Sequence, residues 1–507
     1  MNAQIGGGRR FPASLDGKRT AILLASLFLI LFGSRAAIIR YAGNSTPFMD
    51  EWDGDAASLL EPYLQGKLTI GDLLAPFNEH RIFFTRLLVL SIFHVAGYWD
   101  VILQMIINAV LDSVTVVAIC FALSRVLTGA WAIAAMILSV LINAVPLGYE
   151  NALFGFNTHF YLLLAFSFSS LWFLSDADAW SSRWAAGILC GVASFLCMAS
   201  GALTLAAAIT AHVLQMACGR RRGQREWLGV AALAAVAVAL VSMVPHVPSS
   251  DAYRAHSAGQ FLSALLRLAS WPAHGYVGLI LLAPSALFCL RALADRPLLS
   301  DARWFNVASF IWVLSQMFAL AAGRAQFPLQ SRYFDTLLIG LAISLVSAFS
   351  LFGWKATESK GRIWRFLALG VWLTVFVLSL ANPLHDLRWF IDLRRQVAET
   401  EAKNLKGYLA TGDASFLAGA PALEIPYPES SRLRKLLDTP EIRSALPPAL
   451  LSRDPPHPWV EALKWGLLRL DFVSLGLGVL LLIAVVAWAA LNPATNGARR
   501  RDAVVSS

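Results

Sequence analysis

The sequence predicts an all-α fold, a polytopic transmembrane helical bundle of about twelve spans with juxtamembrane helices in its first outer loop. Of the 507 residues, 57% are hydrophobic and only 14% are charged, which is more apolar surface than one water-soluble core could bury. The apolar runs match the roughly 20 residues that a helix needs to cross a ~30 Å hydrocarbon layer, about twice the length of a barrel strand. Basic residues fall in short clusters between these runs, as is typical of cytoplasmic loops.

The basic clusters also set the orientation. Four basic residues precede the first apolar run, 20–39, and place the N-terminus in the cytoplasm. The run Ile82–Gly97 is predicted as a juxtamembrane helix, because at 1.5 Å per residue it covers only about 24 Å, and Arg86 and His94 interrupt it. An extra crossing there would put nearly every later basic cluster outside. The other predicted spans are 99–124, 129–147, 157–174, 184–199, 202–217, 227–245, 274–291, 303–322, 333–353, 362–381 and 466–491.

These spans divide the chain into regions with different expected roles. The predicted regions are a cytoplasmic N-terminus 1–19, a transmembrane region 20–381 with the outer loop 41–97, an outer segment 382–465, a last transmembrane helix 466–491 and a cytoplasmic tail 492–507. The outer segment is rich in proline and is predicted to begin with an amphipathic helix, Asp386–Leu409. The net charge of +9 is distributed over the loops, so no nucleic-acid partner is expected. The five cysteines lie in or beside apolar spans and predict free thiols.

Four carboxylates crowd the start of the first outer loop, in the run FMDEWDGD. A carboxylate just outside the membrane can deprotonate a hydroxyl, while neighbouring carboxylates bind a metal ion or a sugar. Asp50 is the preferred base because Phe48, Met49 and Trp52 flank it, and Glu51 is its catalytic neighbour. Asp53 and Asp55 are expected to be structural, with Asp55 as the N-cap of a helix that begins near Gly54.

A second polar motif, FNEHR, closes the same loop. Glu79, His80 and Arg81 place a carboxylate, an imidazole and a guanidinium at the start of a helix. Arg81 can donate paired hydrogen bonds to phosphate, and His80 can add a donor, so a phosphate site is favoured. The alternative is a weak surface ion pair between Glu79 and Arg81.

Two further outer loops carry candidate binding residues. In GYENALFGFNTHFY, an aromatic belt at the interface explains the rings but leaves Glu150, Asn157 and His159 as candidates for sugar or metal binding. In QSRYF, Arg332 and Tyr333 follow an outward Arg324, which breaks the positive-inside trend. An anionic ligand would explain both arginines, and a lipid headgroup anchor is the alternative.

One transmembrane helix carries a polar stripe. Gln104, Asn108 and Asp112 recur at four-residue spacing on one face of the predicted span 99–124. A buried carboxylate in a membrane is costly, so the stripe faces either a hydrated cavity or neighbouring helices. Hydrogen bonding between helices is the commoner use, and Asp112 is therefore expected to be structural.

Taken together, these motifs resemble the GT-C superfamily of integral membrane glycosyltransferases, which includes the protein O-mannosyltransferases and the aminoarabinose transferase that acts on lipid A. The resemblance lies in the acidic pair Asp50 and Glu51, the charged motif at 79–81, the pair Arg332 and Tyr333, and the order of the spans to about residue 380. It implies that 20–381 is a GT-C-like catalytic region. The chain departs from the family pattern in one place, because Arg81 is followed by IFFTR instead of a proline pair.

The resemblance implies a transferase that moves a hexosyl or pentosyl sugar, with inversion, from a polyprenyl-phosphate donor to a lipid, glycan or protein acceptor of the cell envelope. Asp50 would then be the base, and Arg81 and Arg332 would hold the lipid phosphate. We expect a bacterial inner membrane location, with both termini in the cytoplasm and the active site outside. No cofactor is assigned, and a divalent metal ion stays open. The alternatives are a transporter or flippase for a lipid-linked saccharide, and an O-antigen ligase or polymerase.

Overall fold

The computed structural model describes residues 17–353, 362–419, 421 and 423–491, and these residues form an all-α structure without a β-strand. The predicted N-terminus 1–19, apart from its last three residues, and the tail 492–507 lie outside the described residues. The α-helices are α1 Gly17–Ala42, α2 Glu61–Leu64, α3 Ile70–Leu74, α4 Phe83–Ala96, α5 Val101–Ser124, α6 Gly129–Ala144, α7 Tyr149–Ala152, α8 Thr158–Leu174, α9 Ser182–Cys197, α10 Ala202–Ala217, α11 Gln224–Ser242, α12 Ala258–Ser270, α13 Leu279–Asp295, α14 Arg303–Gly323, α15 Phe334–Gly353, α16 Arg362–Ser379, α17 Ala381–Thr411, α18 Ser430–Asp438, α19 Pro440–Ala445, α20 Pro448–Leu451, α21 Pro458–Arg469 and α22 Asp471–Leu491.

The predicted helical bundle of an integral membrane protein is confirmed. Within the described residues, 9 helical stretches are long and apolar enough to cross a membrane. They are Gly17–Ala42, Val101–Ser124, Ala199–Ala217, Gln224–Ser242, Gly275–Asp295, Arg303–Gly323, Ser331–Phe352, Ile363–Thr411 and Asp471–Ala490. The other three predicted spans coincide with the shorter helices α6, α8 and α9, of 16, 17 and 16 residues. The total of twelve crossings stays a prediction.

The first and last long helices of the described chain pack against each other. Gly33 in α1 and Gly478 in α22 allow the close approach, since a Cβ atom on Gly33 would lie 2.7 Å from the Asp471 carbonyl oxygen, and one on Gly478 would lie 2.8 Å from that of Ser26. Small residues at such crossings allow helix backbones to meet in membranes. The contact closes the bundle and brings α21, which ends just before α22, next to α1.

A second hydrophobic core joins the first loop, 41–97, to the late segment, 382–465. It includes Trp52 and Leu59 from the first loop and Leu405, Leu433 and Leu446 from the late segment. The main chain is tied as well, because Met49 N donates to Pro426 O and Trp99 N donates to Ala445 O, both at 2.8 Å. The predicted amphipathic helix Asp386–Leu409 lies within the longer α17. The late segment is therefore packed on the first loop.

The polar stripe of α5 contacts neighbouring elements, as predicted. Gln104 donates to the Thr158 hydroxyl at 3.2 Å, and Asn108 donates to Gly155 O at 2.9 Å. Asp112 forms an ion pair with Arg35 of α1 at 2.8 Å, with both side chains almost fully buried. This pair gives the Asp112 carboxylate a counter-charge inside the bundle. All five cysteines are free thiols, as expected.

Candidate active site

Three separate loops bring together one group of charged and imidazole side chains, which we call the site cluster: Asp50, Glu79, His80, His159, Arg324 and Arg332. The first two motifs of the first loop supply Asp50, Glu79 and His80. The other three residues come from the start of α8, the end of α14 and the turn before α15. The convergence of these distant motifs is what a single site requires.

Asp50 lies at the turn that precedes a π-helix, Trp52–Leu60. Met49 adopts φ +47°, a left-handed conformation that turns the chain sharply before Asp50. Burial raises the pKa of the Asp50 carboxyl, the nearby Arg332 opposes that rise, and Asp53 adds to it. Among the described residues, the Asp50 carboxylate accepts no hydrogen bond. It is therefore a half-buried carboxyl group whose oxygens are open to a ligand.

Both carboxylate oxygens of the adjacent Glu51 accept hydrogen bonds from main-chain amides. Its Oε2 accepts from Phe48 N at 2.7 Å and its Oε1 accepts from Phe156 N at 3.1 Å. Burial raises the pKa of Glu51 to about 8, although these two hydrogen bonds oppose the rise. The side chain is almost fully buried. Glu51 thus joins the first loop to the 154–157 loop, and its geometry suits a structural carboxyl group better than a reacting one.

The other two carboxylates of the acidic run have different environments. Asp53 accepts from Arg432 at 2.8 Å and from the Tyr427 hydroxyl, so it is held by the late segment. The prediction that Asp55 is a helix N-cap is wrong, because Asp55 lies inside the π-helix and is fully buried. Neither Asp55 oxygen has a hydrogen-bond partner in the described chain, and burial raises its pKa well above the usual value. Burial therefore favours the uncharged form of the Asp55 carboxyl group over the ionised form.

Glu79 forms an ion pair that the sequence did not indicate. Its two carboxylate oxygens accept from both terminal nitrogens of Arg324, at 3.3 Å for Nη1–Oε1 and for Nη2–Oε2. Burial alone would raise its pKa, but the Ser250 hydroxyl and the Arg324 charge outweigh burial and lower the pKa to about 2. The cation beside Glu79 is therefore Arg324, the outward arginine for which the sequence predicts an anionic ligand or a lipid headgroup.

Arg81 does not join the site cluster. Its Nη1 donates to Leu74 O at 2.8 Å and its Nη2 donates to Met243 O at 3.1 Å, while its Nε is buried without a partner in the described chain. These bonds fasten the end of the first loop to the end of α11. The guanidinium is thus committed to main-chain carbonyls.

Two imidazoles lie side by side in the site cluster. The rings of His80 and His159 are 6.1 Å apart, and Phe156 packs edge-on to His159. His80 Nδ1 accepts from Ala199 N at 3.3 Å, and His159 Nδ1 lies 2.9 Å from Phe156 O. Burial lowers the pKa of His80 to about 4; Glu79 opposes this, and Arg324 and Arg332 add to it. His80 is therefore neutral at physiological pH.

Arg332 stands at the turn that leads into α15. Its Nε donates to Gln330 Oε1 at 2.8 Å, and its charge acts on Asp50 and His80. Its main chain is held by the loop 148–157, because Arg332 N donates to Glu150 Oε2 at 3.0 Å. Tyr333 is buried and faces Phe160. Asn157 donates to Asn151 Oδ1 at 2.9 Å, so it supports this turn from behind.

The structure thus brings Asp50, Glu79, His80, His159 and Arg332 together, and adds Arg324. It gives Glu51, Glu150, Asn157 and Tyr333 supporting positions around them. Among the described residues, no three histidine, cysteine, aspartate or glutamate side chains are grouped so as to hold a metal ion. The arrangement offers an open carboxylate, two guanidinium groups and two imidazoles in one place. Such a set can deprotonate a hydroxyl and stabilise a phosphate anion.

Comparison with known proteins gave structural likenesses but no match in sequence. No protein-family model matches the chain, and no curated protein matches its sequence. Among solved structures, the fold is similar to the oligosaccharyltransferase of Archaeoglobus fulgidus in its apo form, with 10% sequence identity and a TM-score of 0.45. The match covers 86% of this chain and 64% of that one, so the chain spans less than two thirds of its length. The side chains described above, and not this likeness, carry the functional proposal.

Proposed function

We propose that the protein is an integral membrane glycosyltransferase of the GT-C type. It takes a sugar from a polyprenyl-phosphate donor and transfers it, with inversion, to a cell-envelope acceptor on the outer face. The observation that carries the proposal is the open Asp50 carboxyl group next to Arg332, with the Glu79–Arg324 pair in the same cluster. The motif resemblance of Asp50, Glu79 and Arg332 to GT-C enzymes agrees with that placement.

In the proposed reaction, Asp50 accepts the proton of the acceptor hydroxyl as its oxygen attacks the anomeric carbon. Attack from the face opposite the leaving group inverts that carbon, and the bond from the carbon to the phosphate oxygen breaks. The electron pair leaves with the polyprenyl phosphate. Burial raises the pKa of Asp50 and brings it closer to the range in which a carboxylate is an effective base.

The cations of the site cluster act on the leaving phosphate. Arg332 and Arg324 are fixed charges in a partly buried site, where charge stabilisation is worth more than in water. His80 is neutral and can donate a hydrogen bond to a phosphate oxygen from its Nε2. Arg324 takes the role that sequence analysis gave to Arg81, because Arg81 is bound to main-chain carbonyls.

The same proposal assigns the orientation. The basic loop 220–225 and the N-terminus are placed in the cytoplasm of a bacterial cell by the positive-inside rule, with both termini inside. The first loop and the late segment then face outward, on the side where cell-envelope acceptors lie. The two segments pack into one core, so the late segment roofs the first loop.

A gene deletion tests this function and separates it from its rivals. If the proposal holds, one sugar is lost from a cell-envelope glycan and its polyprenyl-phosphate-linked form accumulates on the outer face. A flippase predicts accumulation on the inner face. An O-antigen ligase or polymerase predicts accumulation of a lipid-linked oligosaccharide. Unchanged envelope glycans with unchanged lipid-linked sugars would contradict the transferase proposal.

A further inference from the structure

Two consecutive side chains of the loop 148–157, Glu150 and Asn151, form hydrogen bonds with the main chain of Arg332 in the site cluster. Glu150 Oε2 accepts from Arg332 N at 3.0 Å, and Asn151 Nδ2 donates to Arg332 O at 2.8 Å. Both polar groups of the Arg332 peptide backbone are therefore held by side chains from a loop 181 or 182 residues earlier in the chain. We call Glu150 and Asn151 the clamp.

Asn151 is itself fixed by a second set of partners. It is fully buried, and its Nδ2 also donates to Asp335 Oδ2 at 2.8 Å, while its Oδ1 accepts from Asn157 Nδ2 at 2.9 Å. An asparagine amide has two donors and one accepting oxygen, and the three contacts use both kinds. The side chain has little freedom to rotate away from Arg332.

The clamp is anchored in the bundle. Asp335 is buried near the Arg35–Asp112 ion pair and interacts with both charges. Gly148 lies directly over Asp335, and a Cβ atom on Gly148 would overlap the Asp335 carboxylate. A side chain at position 148 would displace the Asp335 carboxylate. A chain of contacts thus runs from the buried ion pair to the turn that carries Arg332.

We infer that Asn151, together with Glu150, is a positioning residue for the Arg332 guanidinium. The clamp binds only the main chain of Arg332. The Arg332 side chain donates to Gln330 and lies near enough to Asp50 for its charge to act on that carboxyl group. A fixed backbone reduces the conformational entropy that Arg332 loses when a phosphate binds. The position of the guanidinium also decides how well its charge stabilises a transition state. This inference rests on the proposed function.

The first test needs no substrate. Arg332→Cys is introduced into the full-length protein in nanodiscs, and its reaction with a membrane-impermeant maleimide is timed with and without Asn151→Ala. The protein that retains Arg332 supplies the background from the native thiols. A several-fold faster reaction with Asn151→Ala is expected, because the turn is released. The matched control is Asn306→Ala, a buried asparagine that donates to Leu123 O at 3.2 Å, far from the turn. Equal rates in all three backgrounds would overturn the clamp.

The second test measures the binding of undecaprenyl phosphate, which is the leaving group of the proposed reaction. Asn151→Ala and Arg332→Gln are measured singly and together at equal membrane abundance. If Asn151 acts through Arg332, the double variant binds no more weakly than Arg332→Gln alone, and the Asn306→Ala effect multiplies with that of Arg332→Gln. Multiplying effects for Asn151→Ala would contradict the inference. Failure of the wild type to bind undecaprenyl phosphate would instead contradict the proposed function, and the maleimide result would still decide the clamp.

Discussion

The two polar motifs of the first loop carry their carboxyl groups in opposite environments. In the run 50–55, burial raises the pKa of Asp50, Glu51 and Asp55, and Asp50 keeps its oxygens open. In the motif 79–81, Glu79 is bound to Arg324 and Ser250, which lowers its pKa to about 2 despite burial. The same loop therefore holds one carboxyl group that is suited to accept a proton, Asp50, and one that binds a neighbouring cation, Glu79. Pairing, and not residue type, separates the two roles.

A large effect is predicted for Arg332, whose charge acts on Asp50 in one motif and on His80 in the other. Arg332→Gln should lower the transfer rate by about 10²–10³-fold, which is typical for loss of one charge-stabilising donor. Arg332→Lys should recover part of the rate, because a point charge remains but the paired donors are lost. The measurement is transfer at equal membrane abundance. Arg388→Gln, whose side chain is 90% exposed in α17, is the control and should retain activity.

Glu51 tests whether the neighbour of Asp50 is structural. Glu51→Ala leaves two main-chain N–H donors, those of Phe48 and Phe156, without their acceptor, so the protein should lose about 1–3 kcal/mol of stability. The free energy of unfolding, or the midpoint of thermal aggregation in detergent, gives the result. Unchanged stability with lost transfer would make Glu51 a reacting group and would remove the contrast with Asp50.

Glu79 should show the opposite pH dependence to Glu51. The folded-state pKa of Glu79 is about 2, below its ordinary value of 4.5, so its contribution to stability is full above about 4.5 and is lost as the pH falls through about 2. The Glu51 contribution is full below about 4.5 and is lost as the pH rises through about 8. Stability is measured from pH 3 to 9 for the wild type, Glu79→Gln and Glu51→Gln. If both variants change stability only on the acid side, or only on the alkaline side, of the pH curve, the predicted difference between Glu79 and Glu51 is wrong.

The smallest expected effect is at Asp55. Burial favours the uncharged form of the Asp55 carboxyl group, and Asp55→Asn keeps an uncharged polar group of the same shape, so stability should change by less than about 1 kcal/mol. Thermal unfolding of the two proteins at pH 7 measures the difference. A loss of several kcal/mol would mean that Asp55 is ionised beside Arg86 and belongs with Glu79 in this comparison.

Hydropathy located the helices because a spanning segment must satisfy its backbone internally and face lipid, which leaves a local record in the sequence. The polar stripe of α5 was predictable for the same reason. The partner of Glu79 was not, because Arg324 lies 245 residues away and only the packing of α14 brings it near. The flanking apolar residues favoured Asp50 as the base, but the sequence did not indicate that main-chain amides hold both oxygens of Glu51. That difference depends on the left-handed turn at Met49 and on the Phe156 amide of the 154–157 loop.

The central claim is that the open Asp50 carboxylate accepts the proton of the acceptor, and the most direct measurement is the transfer rate of Asp50→Asn at matched membrane abundance. Asp53→Asn is the control from the same acidic run, because Asp53 is bound to Tyr427 and Arg432. Removal of a positioned general base typically costs about 10²–10⁴-fold. The account predicts a loss in that range for Asp50→Asn and a near-normal rate for Asp53→Asn. A retained rate in Asp50→Asn would contradict it.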